Sequence, residues 1–312
     1  YYIYGNDFIP LTSVSPRYLL SSLTFDSRIT AIPKYAFREC INLTSVDLSN
    51  CTSLTSIEDY AFGACHSLVN ISFPINLTSI GSYAFAYCHG LTSITLPSSL
   101  TNIGSHAFSS CYSLAEVYNY SSLIITAGSA GSSSYGRVGE YAKVVYNASD
   151  LTGEKPTSKI QTINNIQYYV DEVESEFIAL APSVARDSLT TLTLDSRTTD
   201  INQWAFFDCT RLVAIDLNSC ANLKSIGSRA FQDCARLTTI DLSNCTSLTS
   251  IGSGVFYDCI NLARVIFPNT TGWYCTTDDA ATDGDSMDMS DPEQNATWLT
   301  DTYNYYYFKR NA

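Results

Sequence analysis

The sequence predicts a right-handed α/β solenoid whose short coils stack along a parallel strand ladder, and three observations predict it. The signature Ala-Phe-x-x-Cys recurs seven times, once with Val255 in place of Ala, and its Phe residues are spaced by 23 or 25 within each set. Aliphatic runs of the form L-x-x-I-x-L and L-x-x-I separate the signatures. Four of the signatures form a first set and three a second, and Phe37/Phe206 and Phe62/Phe231 keep an offset of 169 residues. A unit this short cannot bury its own Leu, Ile and Phe, so successive units must cover one another.

The signatures place Phe37, Phe62, Phe85 and Phe108 in a first set and Phe206, Phe231 and Phe256 in a second. Each is read as a helical turn with Phe and the small Ala inward. A buried Phe contributes about 1.5–3 kcal/mol, so these seven rings form the spine of the core. The longer aliphatic pattern begins at Leu20, Leu43, Leu68, Leu91 and Leu114, and again at Leu189, Leu212, Leu237 and Leu262. These runs are the expected strands, with steps of about 4.8 Å. The two spacings differ because Ser49-Asn50-Cys51 lengthens a turn that Pro74 and Pro97 keep short in other coils. Length changes in a surface turn cost little.

The 169-residue offset aligns Thr24-Phe25-Asp26-Ser27-Arg28 with Thr193-Leu194-Asp195-Ser196-Arg197. Two tandem modules are therefore expected, residues 1–150 and 151–312, each with terminal caps. The opening segments also correspond, Tyr1-Tyr2-Ile3 and Phe8-Ile9 with Tyr168-Tyr169-Val170 and Phe177-Ile178. In the second module Asn164-Asn165 between alternating apolar residues predicts a hairpin turn. The first module lacks that upstream strand, so its start is expected before Tyr1. Residues 115–146, with a Gly/Ser-rich turn at 128–136, break the period and read as a cap. A polar connector, 147–158, follows. At the far end Asp291-Pro292-Glu293-Gln294 supplies a helix cap, a first-turn proline and Gln for a short helix through Trp298 and Leu299.

The chain's 312 residues carry a net charge of −13, and only 15% are charged. Such a balance offers no basic footprint, which excludes nucleic acid and anionic lipid as partners. The absence of any run of 18 apolar residues predicts no membrane insertion. Neither does the opening Tyr1-Tyr2-Ile3-Tyr4 have the form of a signal peptide. Eleven cysteines fall into columns: seven in the signature, three at Cys51, Cys220 and Cys245, and Cys275 alone. Residues in register on successive coils point the same way, which disfavours disulfide geometry. They read as buried thiols used as small apolar filler. No C-x-x-C pair invites a metal.

With Leu-Thr-Ser-Ile at 54–57, 77–80 and 248–251, Ile-Gly-Ser at 80–82, 226–228 and 251–253, and the seven signatures, the repeat resembles the BspA-like, or Treponema pallidum-type, leucine-rich repeat. The resemblance covers about residues 20–118 and 189–268. It implies a leucine-rich-repeat fold and a secreted or cell-surface setting, with family members implicated in adhesion to host matrix proteins and other cells. No catalytic motif comes with it. Thr198 for Ile29 and Asn119 in place of a final strand Leu mark array ends.

The candidate sites follow from what the repeats leave exposed. A Ser/His/Asp hydrolase lacks a G-x-S-x-G elbow, and His66, His89 and His106 sit at variable repeat positions. Asp216 and Asp241 share a strand position with Asp47, a spacing that repetition alone explains. The acidic loop Asp278, Asp279, Asp283, Asp285, Asp288 and Asp291 has carboxylates for calcium, yet lacks EF-hand spacing. No cofactor or metal site is assigned. The residue before each Ala-Phe is the sharper candidate: Tyr35, Tyr60, Tyr83 and His106, then Trp204, Arg229 and Gly254. A ridge of Tyr and Trp concentrates binding energy, although rings packed sideways would also shield the core. The expected function is a non-enzymatic, extracellular or surface-attached binding protein for a host or bacterial surface protein. A carbohydrate-binding module, with a coplanar aromatic strip, and a spacer in a larger surface protein are the alternatives.

Overall fold

The computed structural model describes residues 2–4, 7–9, 17–21, 23–128, 135–153 and 155–311. Tyr1 and most of the expected 128–136 turn lie outside these residues. The repeats form a β-solenoid with parallel strand ladders, in two units, residues 1–160 and 161–312.

In the first unit the L-x-x-I pairs build one ladder, in which Ala31–Ile32, Ser56–Ile57, Ser79–Ile80 and Asn102–Ile103 pair in parallel with Ile over Ile. The longer runs build a second. Ser45–Asp47 pairs with Asn70–Ser72, and Ser93–Leu96 pairs with Glu116–Asn119, which is followed by Val144–Tyr146 from the expected cap. Alternation explains the burial: Val46, Ile71, Ile94 and Val117 point into the core, while Ser45, Asp47, Asn70 and Ser72 face out. Ahead of the coils, Tyr2–Tyr4 and Asp7–Ile9 form an antiparallel pair.

The second unit opens with the predicted hairpin. Ile160–Ile163 and Ile166–Asp171 flank Asn164 and Asn165, whose φ values of 51° and 62° suit the mirror-image turn that Asn tolerates. Ile166–Asp171 then pairs antiparallel with Glu176–Pro182, which starts the parallel ladder through Asp200–Ile201, Ser225–Ile226 and Ser250–Ile251. Antiparallel Tyr307–Arg310 closes it. Asp291 caps the helix Pro292–Thr297 by accepting from the N–H groups of Glu293 and Gln294, and one π turn continues it through Trp298–Thr302.

The Phe column forms the interior as the spacing predicts. Phe37, Phe62, Phe85 and Phe108 stack at 5.2–5.4 Å between centroids, and Phe206, Phe231 and Phe256 at 5.3 and 5.7 Å. Each set lies in its own core.

The signature segment is not helical. Its N–H groups alternate: those of Ala36, Arg38 and Cys40 bond within the coil to the residue three back, while those of Tyr35, Phe37 and Glu39 donate to Asp59, Ala61 and Gly63 of the next coil. This alternation needs left-handed backbone twice per coil. Tyr35, Tyr60, Tyr83, His106, Trp204 and Arg229 have φ of 55–60°, and the residues before Cys, from Glu39 to Asp258, have 56–63°. Only Gly254 takes that conformation without a Cβ penalty. The compensation is a second hydrogen-bonded ladder along the turns.

Ile-Gly-Ser has a related cause. The N–H of Gly81 donates to Ile57 of the preceding coil at 2.7 Å, and a Cβ at Gly81 would stand 2.5 Å from the Asp59 nitrogen. Only glycine lets the backbones come this close.

All eleven cysteines are buried thiols. Their placement goes beyond filling space: Sγ of Cys65, Cys88 and Cys111 donates to the carbonyls of Phe37, Phe62 and Phe85 at 3.1–3.3 Å, and Cys234 and Cys259 do the same to Phe206 and Phe231. The column therefore asks for a residue that is small and apolar and still carries a donor. Burial pushes the Cys88 and Cys259 thiols up to about 12.

A first coil has no predecessor to satisfy its turn carbonyls. Arg17 Nη1 donates to the carbonyl of Arg38 at 3.0 Å, and Arg186 Nη1 to those of Ala205 and Phe207 at 3.0 and 2.7 Å. Each arginine stands in for the missing coil. Both were readable in the sequence, since they too are 169 residues apart.

Candidate functional site

The four aromatic candidates of the first unit come together. Tyr35 stacks on Tyr60 at 5.2 Å, Tyr60 on Tyr83 at 4.9 Å, and Tyr83 on His106 at 5.0 Å, the last two pairs with interplanar angles of 6°. The left-handed backbone aims each ring along the solenoid, so the rings lie face to face rather than side by side. Lys34 and Arg38 cover Tyr35 at 5.1 and 5.8 Å. Both faces of Tyr60 and Tyr83 are taken by ring neighbours, and Tyr35 is the most open of the four at 40%. Trp204, in the second unit, is not part of this row. It packs edge-on against Phe207 at 4.8 Å, with the Arg229 guanidinium 5.2 Å from its ring.

A second row, one residue beyond the column Cys, was not singled out as a binding candidate. His66 stacks on His89 at 5.1 Å, and His89 on Tyr112 at 5.4 Å. His89 is buried, and its Nδ1 lies 3.0 Å from the carbonyl oxygen of Ser110. These histidines serve the packing of successive coils. In the first row the hydroxyl of Ser105, the sequence neighbour of His106, lies 2.6 Å from His106 Nδ1 at an exposed turn.

The carboxylates considered for catalysis have local duties. Asp47, Asp216 and Asp241 each accept from the backbone N–H two residues on, at 2.9–3.0 Å, closing the turn after the strand. Asp26 and Asp195 do likewise and also hold Arg28 and Arg197, which lower both carboxyls, that of Asp26 well below the usual range. In the acidic loop Asp278, Asp288 and Asp291 accept backbone N–H groups, and Asp279 pairs with Lys309 at 2.7 Å. Among the described residues no three His, Cys, Asp or Glu side chains converge on a metal-sized point.

The spacing did not reveal a groove in the first unit. Ile71, Ser72, Phe73, Ile75, Thr95, Pro97, Ser98 and Tyr120 line a mostly apolar cleft of about 490 Å³. It arises where the outward strand positions Ser72 and Thr95 meet the short proline turns. Ile75 is 75% exposed at its rim. Pro74 and Pro97 were the signal, because turns shortened by two residues leave this face uncovered.

The same outward face changes character along its length. Strand register sets Ser93 beside Glu116 and Thr95 beside Tyr118. Glu116 and Tyr118 are 0% and 1% exposed. The Glu116 carboxylate accepts from Tyr118 Oη at 3.1 Å, Ser158 Oγ at 2.7 Å and the Lys159 N–H at 2.6 Å, while the Lys155 ammonium sits 3.9 Å from the Tyr118 ring centroid. The expected polar connector is thus docked, at 155–159, on the strand ladder.

A family model described as BspA type leucine-rich repeat region matches residues 16–130 and 184–275, in six copies. Similar solved structures include a leucine-rich repeat protein of Eubacterium ventriosum, 20% identical over 80% of this chain and 73% of that one, with a TM-score of 0.35. The pneumococcal vaccine antigen PcpA is 17% identical over 79% and 62%, with a TM-score of 0.32. A leucine-rich cell surface protein of Faecalibacterium prausnitzii is 19% identical over 80% and 79%, with a TM-score of 0.27. No curated protein matches the chain. Among the described residues no helix is long and apolar enough to cross a membrane.

Proposed function

The chain belongs to the BspA-type leucine-rich-repeat family, and from that premise we propose that it is a non-enzymatic binding protein, secreted or held at a cell surface, that recognises a protein of a host or neighbouring cell. The apolar groove of the first unit carries this reading. Accessible aliphatic and aromatic side chains beside a polar rim are what a protein segment buries on docking; exposed Ile75 and half-buried Phe73, Pro97 and Tyr120 supply them. The edges of Tyr35, Tyr60, Tyr83 and His106 are a second contact row in this proposal, and Trp204 holds the matching position in the other unit. A sugar stacks on a ring face, and these faces are spent on one another, which disfavours the glycan alternative.

The test is a parallel screen of the purified chain against immobilised extracellular matrix proteins and a glycan array, repeated with Ile75→Asp. A protein ligand lost on that substitution, with unchanged thermal unfolding, supports the reading. Glycan capture, or no capture by either panel, overturns it in favour of the carbohydrate module or the spacer.

A further inference from the structure

Outward positions along the long-strand ladder of the first unit are exposed at Ser45, Asp47, Asn70 and Ser72, half-buried at Ser93 and Thr95, and buried at Glu116 and Tyr118. The trend follows the side chains: short polar groups, Asp47 among them, at one end, and the longer Glu116 with a phenol ring at the other. A carboxylate at the strand position that Ser45, Asn70 and Ser93 hold in other coils is costly to bury without partners. Glu116 finds them in the 155–159 segment, whose main-chain N–H at Lys159 and hydroxyl at Ser158 both reach it. Tyr118, stacked on Tyr146 at 5.2 Å, presents a face, and Lys155 occupies it. This is how a peptide is recognised: one main-chain donor, one side-chain donor and one cation, each matched.

We propose that this outward face is a docking surface for an extended, lysine-bearing peptide segment, and that residues 155–159 are its occupant in cis. The apolar groove continues the same face, because Thr95, which lines it, is the register partner of Tyr118. A partner segment that places a lysine over Tyr118 and a backbone N–H on Glu116 carries its neighbouring apolar side chain towards Phe73, Ile75 and Pro97. The partner must first displace the cis segment, so the connector sets a threshold for binding. The proposal rests on the protein-binding reading above and narrows it to one chemistry.

The experiment uses the full chain and a fluorescent synthetic peptide of residues 150–160. In a variant carrying Lys155→Ala, Ser158→Ala and Lys159→Pro, which lacks the donating N–H, the cis contacts are gone and the face is intact. The peptide should bind this variant at least tenfold more tightly than the unaltered chain, by fluorescence polarisation. Adding Glu116→Gln to the variant should reduce binding at least tenfold while the unfolding midpoint holds. Equal affinity for the unaltered and opened chains overturns the proposal. So does indifference to Glu116→Gln, or no binding by the opened chain up to about 1 mM peptide, the effective concentration of a short tether. Capture of a matrix protein that depends on Ile75 but not on Glu116 would leave the broader reading standing while removing this one.

Discussion

The Arg186 guanidinium lies 2.7 Å from the carbonyl oxygen of Phe207 and supplies the hydrogen bond that later coils receive from a backbone N–H. A side chain thereby replaces a missing repeat. Arg186→Leu strands the carbonyls of Ala205 and Phe207 and should cost about 1–3 kcal/mol. Arg17, half-buried and with one such bond, should cost under about 1 kcal/mol on the same change. Urea unfolding measures both, and equal losses would contradict the capping role.

The thiol column makes a second prediction. Cys88→Ala removes the donor that serves the Phe62 carbonyl and leaves a small void, an expected loss of about 1.5–3 kcal/mol. Cys88→Ser keeps a donor at the same place and should lose less. If Ala proves the milder replacement, the thiol is filler alone.

Alkaline pH should unfold the protein through these same thiols. Cys88, Cys245 and Cys259 rise from 9.0 to about 12, and Cys220 to about 11, chiefly through burial. A raised folded value means that stability is fully present below pH 9. It is lost as pH climbs towards 12, because the unfolded chain ionises first. Each thiol adds a slope of up to about 1.4 kcal/mol per pH unit. Urea midpoints between pH 8 and pH 11 should fall steeply, and less steeply in a Cys88→Ala, Cys259→Ala variant.

Tyr60 offers an unusual ordering of two substitutions. Its φ of 55° suits glycine, and its ring stacks on both Tyr35 and Tyr83. Both Tyr60→Ala and Tyr60→Gly lose the stacks, each worth about 0.5–1.5 kcal/mol. Glycine alone relieves the backbone, so Tyr60→Gly should be the more stable by about 1 kcal/mol. The reverse order, in thermal melts, would show that the left-handed backbone at this position carries no Cβ penalty.

Much of the fold was legible because period is a global signal. The Phe stacks, the strand register and the Asn164-Asn165 hairpin all follow from spacing. The signature turn was misread as helical because Ala and Phe are compatible with helix, and nothing local marks Tyr35 or Glu39 as left-handed; coil-to-coil hydrogen bonds impose it. Gly254, in the place of Trp204, was the one local hint. The aromatic column was legible as a row, but the orientation of its rings depends on that backbone. Glu116 was visible as an acid at a Ser/Asn strand position, yet its partners lie more than forty residues away in a segment that composition marks as a plain connector.

The alternating donors of the signature turn also bear on how such chains change over time. Every interior coil offers the same acceptors backwards and the same donors forwards, so a whole coil can be gained or lost by recombination without leaving a mismatched seam. Copy number is then free to drift, whereas the arginine-headed first coil and the closing cap are not interchangeable with any other. Lineages related to this chain are expected to differ in array length far more than in the residues that begin and end it.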